Sequence, residues 1–143
     1  MNKLALAGAA IVAVAAGLWI ANRPDPAASD GETVPMGTAM AAVTLPDALS
    51  EQTQMGQRAF DAVCAACHGD NAAGVMGSGP PLVHEIYEPS HHGDMAFLMA
   101  VQNGVQSHHW RFGNMPPQEG LTQADVSNIV AYVREVQRAN GID

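Results

Sequence analysis

The chain has 143 residues with fourteen acidic and six basic side chains, a formal net charge of −8. That charge splits as +1 over residues 1–21, −3 over 22–49 and −6 over 50–143, which excludes a protein that tracks nucleic-acid phosphates. A hydrophobic content of 48% also excludes an intrinsically disordered chain.

Residues 4–21 form an 18-residue run without a charge, preceded by Lys3. As a helix rising about 1.5 Å per residue it would reach roughly 27 Å, close to the thickness of a hydrocarbon core. Trp19 stands where an interfacial ring belongs. The run reads as a signal anchor. A cleaved signal peptide, with Ala13-Val14-Ala15 as small residues near a cut, is the competing reading. Either one places the rest of the chain outside the cytoplasm. Residues 22–49 are rich in Pro, Ala, Gly, Ser and Thr and lack a helical stripe, so they are expected to be a flexible linker. Its methionines, Met36 and Met40, read as linker residues without a role rather than as soft-metal ligands.

From Ser50 the pattern changes. Ser50 is a candidate N-cap, and Gly56, Ala59, Phe60, Val63, Cys64 and Cys67 follow at helical spacing on one face, with Gly69 as the expected stop. A glycine-rich loop leads through Gly74, Gly77 and Gly79 to Pro80-Pro81. A shorter helix is predicted over residues 94–103, stopped by Gly104. A second loop then runs to Thr122, which caps a last helix with Asp125 at the capping-box position and a stripe of Val126, Ile129, Val130 and Val133. No strand pattern and no internal repeat is visible. The expected domain, residues 50–143, is all-α with about three core helices and long loops that need something to pack on. It contains six of the chain's seven aromatic rings, a small number for a core that must stand by itself.

Cys64-Ala65-Ala66-Cys67-His68 is the C-x-x-C-H signature of covalent haem attachment. Two thiols three residues apart lie on adjacent turns of one helical side, where they can add to the two vinyl groups of one macrocycle, and His68 brings an imidazole under the iron. A thioredoxin-like redox pair would need a βαβ pattern, and a structural zinc site would need two further ligands from remote histidines.

With these residues in view, residues 50–143 resemble a class I c-type cytochrome with one haem. Gly56 and Phe60 match the family's first helix, Ile129 and Tyr132 its last helix, and Gly79-Pro80-Pro81-Leu82 its Gly-Pro-x-Leu loop. The resemblance implies that Cys64 and Cys67 form the haem thioethers, that His68 is the proximal iron ligand, and that the Pro80 carbonyl accepts that histidine's second N–H. For the distal ligand the domain offers Met55, Met76, Met95, Met99 and Met115. Met95 and Met99 are expected as core gap-fillers on the middle helix. The resemblance points to Met115, in a loop followed by Pro116-Pro117, with His108 or His109 and an open coordination position as alternatives.

A methionine ligand raises the potential and leaves no vacancy for a substrate, as suits an electron carrier rather than an enzyme. The expected function is therefore single-electron transfer between redox proteins, some membrane-bound or copper-containing, on the periplasmic side of a bacterial inner membrane. Residues 4–21 would hold it there, or the domain would be soluble after cleavage; no nucleic-acid partner is expected. The pairs His91/His92 and His108/His109 support an alternative, a haem domain that handles copper or senses a ligand. Against that stands a reading in which these loop histidines only bond propionates, backbone or water. Trp110 and Arg111 are candidate propionate contacts.

Overall fold

The computed structural model describes residues 34–143, and the expected anchor at residues 4–21 lies outside the described residues. Four helices form among them: α1 (Glu51–Val63), α2 (Ala65–His68), α3 (Asp94–Asn103) and α4 (Gln123–Ala139). Short 3₁₀ turns occupy Asp70–Ala72 and Glu85–Tyr87. There is no strand in this region, only isolated bridges at Ala39–Val75, Val75–Gly79 and Val105–Met115. The fold is the all-α arrangement expected for a small class I cytochrome.

Local chemistry sets the helix ends. The Ser50 hydroxyl accepts the Thr53 N–H at 3.2 Å and begins α1. α1 and α2 are nearly continuous, parted at Cys64, and Gly69 at φ 74° ends the pair. α3 stops at Gly104. Thr122 begins α4 with a complete capping box: its hydroxyl accepts the Asp125 N–H, and the Asp125 carboxylate accepts the Thr122 N–H at 2.9 Å.

α1 and α4 cross at Gly56. A Cβ placed there would come within 1.9 Å of the Asn128 carbonyl oxygen and 3.0 Å of Tyr132 Cβ. Only a residue without a side chain permits this crossing. Phe60 and Tyr132 are fully buried beside it, their ring centroids 5.6 Å apart and tilted by 56°. Around them pack Leu82, Val83, Ile129, Val133 and Val136, and a second buried group joins Val101 of α3 to Val126 and Val130 of α4. Gly56→Ala would gain about 1 kcal/mol of helix propensity but must push two backbones apart, at least an over-packing cost of about 1–3 kcal/mol. The net effect will be a lower midpoint in chemical denaturation, with α1 and α4 still helical by circular dichroism.

Of the expected linker, residues 22–33 lie outside the described residues, while residues 34–49 are tied to the domain by hydrogen bonds. Gly37 donates its N–H to the Met76 carbonyl, Met40 and Ala41 donate theirs to Ala73, and Met76 donates back to Thr38. Further on, the Asn140 side chain exchanges two bonds with the Thr44 backbone at 2.9 and 2.8 Å. Met36 also has a place: its methyl lies over Gly77, where a Cβ would come within 1.9 Å. The segment is held mainly through backbone groups, so it needs no hydrophobic stripe.

One charged residue sits within the core. Arg134 of α4 is buried, its side chain 7% exposed. Its Nε donates to the Asp94 carboxylate at 2.8 Å, Nη1 to the Tyr87 carbonyl at 2.6 Å and to Gln137 Oε1 at 2.7 Å, and Nη2 to the His92 carbonyl. Gln137, fully buried, donates to the Leu82 carbonyl at 2.7 Å. These two side chains tie the loop between Leu82 and α3 to α4.

Candidate haem site

α1 and α2 bring Cys64, Cys67 and His68 to one wall of an apolar cavity of about 570 Å³. Phe60, Leu82, Phe97, Ile129 and Val130 supply much of its lining, and Met115 lies on it as well. The four residues singled out in the sequence are therefore gathered at one cavity.

On the thiol side, burial and the neighbouring Cys67 sulfur push the Cys64 thiol up to about 11. Both cysteines are free of disulfide, as thioether formation requires. Gly79 presses the following loop onto this segment, since a Cβ there would lie 2.6 Å from the Cys67 carbonyl oxygen. That approach brings Pro80 to His68.

The His68 Nδ1 lies 2.9 Å from the Pro80 carbonyl oxygen. A carbonyl can only accept, so Nδ1 carries the proton and Nε2 keeps a lone pair for a metal. Burial pushes the imidazole below its ordinary value, partly offset by the bond to Pro80, which keeps the ring neutral near pH 7.

Met115 is held by its backbone. Its N–H donates to the Val105 carbonyl at 3.0 Å and its carbonyl accepts from Val105 at 2.9 Å. The Ser107 N–H donates to Asn114 Oδ1 at 3.0 Å, and Gln118 donates to the Val101 carbonyl at 2.8 Å, tying the loop to α3. Met99 lines the cavity too, whereas Met55, Met76 and Met95 do not. The expectation that Met95 fills a core gap is corrected, because it is 64% exposed, and Met99 borders the cavity rather than filling the core. α3 turns its Val101 inward instead.

The cavity is lined mainly by apolar groups and suits a large apolar group. Trp110 lines it, and its indole Nε1 is buried without a hydrogen-bond partner. Burial raises the Tyr87 hydroxyl pKa and the nearby indole offsets part of that rise, yet no bond of acceptable geometry forms between them. This nitrogen is shielded from the open cavity and lies by Tyr87, so Trp110 lines the slot through its other atoms and the expected propionate contact gains no support from its N–H. Arg111 is exposed and does not line the cavity. Two thiols, an imidazole with a free Nε2 and a thioether around one apolar slot are side chains that could hold a covalently bound haem.

Such a slot on such a fold defines a c-type cytochrome. The chain belongs to the cytochrome c family, whose family model matches residues 53–137. No curated protein matches the chain. By that membership its cofactor is one covalently attached haem c, and its role is haem-based electron transfer.

Sequence reasoning missed one feature and left another unassembled. Arg134 and Gln137 are buried on α4 and were not singled out from the sequence. The pairs His91/His92 and His108/His109 were named in the sequence for a copper-handling alternative but showed no ligand spacing; in the structure one ligand atom each of His91, His92 and His109 lies within 4.8 Å of the others.

Proposed function

We propose that the protein is a mono-haem electron carrier whose haem is joined to Cys64 and Cys67 and whose iron is held between His68 and Met115. The supporting observation is the convergence of these four side chains on one apolar cavity, with the His68 tautomer set by Pro80. When bound, the haem supplies a one-electron ferric/ferrous couple. The chain's own residues do the rest. Pro80 orients His68 and strengthens its donor nitrogen. The bridged Met115 backbone presents a soft thioether with little freedom to leave. Phe60, Leu82, Ile129 and Val130 exclude water, which disfavours the more highly charged ferric state. An iron held by both His68 and Met115 would offer no open position to a substrate, as suits a carrier rather than an enzyme.

The leader and charge extend this reading. An anchor at residues 4–21 would keep the domain on the periplasmic side of the inner membrane, raising its local concentration near membrane-bound redox partners. A soluble periplasmic carrier is the outcome if the leader is cleaved. The charge of −6 over residues 50–143 suits partners with basic docking patches.

The thioethers give the test. Wild-type protein denatured on a gel will keep haem staining, Cys64→Ala and Cys67→Ala will each lower the yield sharply, and the double variant will keep no haem. Loss of haem from the wild type in acidic acetone would overturn covalent attachment.

A further inference from the structure

Four imidazoles from two loops meet beside the haem cavity. His91 and His92 belong to the turn before α3, and His108 and His109 to the loop leading to Met115. We propose that His91, His92 and His109 form a binding site for one divalent transition-metal ion, with His108 or water completing a tetrahedral shell.

Distance is the first argument. A tetrahedral ion bound at about 2.0–2.1 Å holds its ligand atoms about 3.4 Å apart. The Nε2 atoms of His91 and His109 are 3.4 Å apart. A single hydrogen bond between two neutral rings would account for that one spacing, but not for the third ring drawn in beside them. The remaining ligand-atom separations, up to 4.8 Å, close by rotating the exposed rings of His91 and His109.

Tautomers are the second. The His92 Nδ1 lies 2.6 Å from the Ile86 carbonyl oxygen and the His108 Nδ1 lies 2.8 Å from that of Gln106. Each Nδ1 must therefore donate, leaving Nε2 with its lone pair. Metal-bound histidines are oriented in the same way by outer partners.

Support from the backbone is the third. The N–H groups of His91 and His92 both donate to the Glu88 carbonyl, at 3.1 and 2.8 Å. The His92 carbonyl is held in turn by buried Arg134. The rings pack closely, with centroids 4.3 Å apart for His108 and His109, 4.7 Å for His91 and His92, and 5.3 Å for His92 and His109.

An all-imidazole donor set suits zinc, copper or nickel and not the hard cations calcium and magnesium. Because His92, His108 and His109 also line the cavity, an ion here would sit at its rim and join the loop before α3 to the loop carrying Met115. The proposal does not rest on which residues ligate the haem iron.

The test is calorimetric titration of the full-length holoprotein with zinc sulfate at neutral pH. Zinc is redox-silent, and the thioethers keep Cys64 and Cys67 from competing. The expected result is one Zn²⁺ per chain at micromolar affinity or tighter. His91→Ala and His109→Ala should each weaken binding about tenfold or more. His84→Asn, which retains a cap for the Ile86 N–H and removes an imidazole outside the cluster, should bind like the wild type. If either alanine variant alters the haem absorption, His91→Gln and His109→Gln repeat the measurement with side chains nearer in size. Absence of saturable zinc binding, or equal binding by the wild type and the His91 and His109 variants, would overturn the proposal.

Discussion

On the proposed ligation, Met115→Ala will keep its haem after denaturation but lose its sixth ligand, and its reduction potential will fall. Attachment survives because Cys64, Cys67 and His68 belong to a different segment and are untouched. The potential falls because a soft sulfur donor that favours ferrous iron has been replaced by water or a nearby histidine. Axial ligation moves haem potentials over about 0.8 V, so the drop should be on the order of a hundred millivolts or more. Met99→Leu is the decisive control, because Met99 also lines the cavity. Its sulfur lies 3.9 Å from Asn103 Nδ2 on the half-exposed side of α3, so leucine should replace it at a cost below about 1.5 kcal/mol with spectrum and potential unchanged. Redox titration of both variants beside the wild type measures this. A Met99→Leu variant that loses the wild-type spectrum while Met115→Ala keeps it would reverse the assignment.

The second large effect will come from Arg134→Met. The substitution roughly preserves volume and removes a charge, so a hydrophobic argument would call it mild. The hydrogen bonds decide otherwise. Loss of the guanidinium leaves the carbonyls of Tyr87 and His92 and the Gln137 side-chain oxygen without this donor, and each unsatisfied buried acceptor costs about 1–3 kcal/mol. Gln137 Nε2 still reaches the Tyr87 carbonyl at 3.0 Å, which limits the damage there. Asp94 adds little, since its side chain is 71% exposed and regains water. A net loss of about 3 kcal/mol should lower the melting temperature by on the order of 15 °C in a domain of this size. Because the His92 carbonyl is released, the loop before α3 should also exchange its amide protons faster than in the wild type.

Much of this molecule was legible in its sequence because the relevant forces are local. The Ser50 cap, the Gly104 stop and the Thr122/Asp125 box act within a few residues, and all form as read. Cys64-x-x-Cys67-His68 is local as well. The resemblance to a cytochrome carried the longer-range expectations, including the His68–Pro80 bond across twelve residues. What was not legible depends on partners distant in sequence. Arg134 is buried because carbonyls 42 and 47 positions away converge on it, and nothing on α4 announces that. Residues 34–49 look like a tether because their attachment uses backbone groups, which every residue carries. The histidine pairs showed no ligand spacing because 18 positions separate His91 from His109.

The most direct test of the carrier assignment is the absorption spectrum of the purified full-length protein, taken oxidised, then reduced, then reduced under carbon monoxide. An iron held by His68 and Met115 predicts a weak far-red charge-transfer band from thioether sulfur in the ferric state. It also predicts a ferrous spectrum that carbon monoxide leaves unchanged. Absence of the far-red band together with immediate carbon monoxide binding would show an open iron, and would contradict the assignment of this protein as an electron carrier with both axial positions filled.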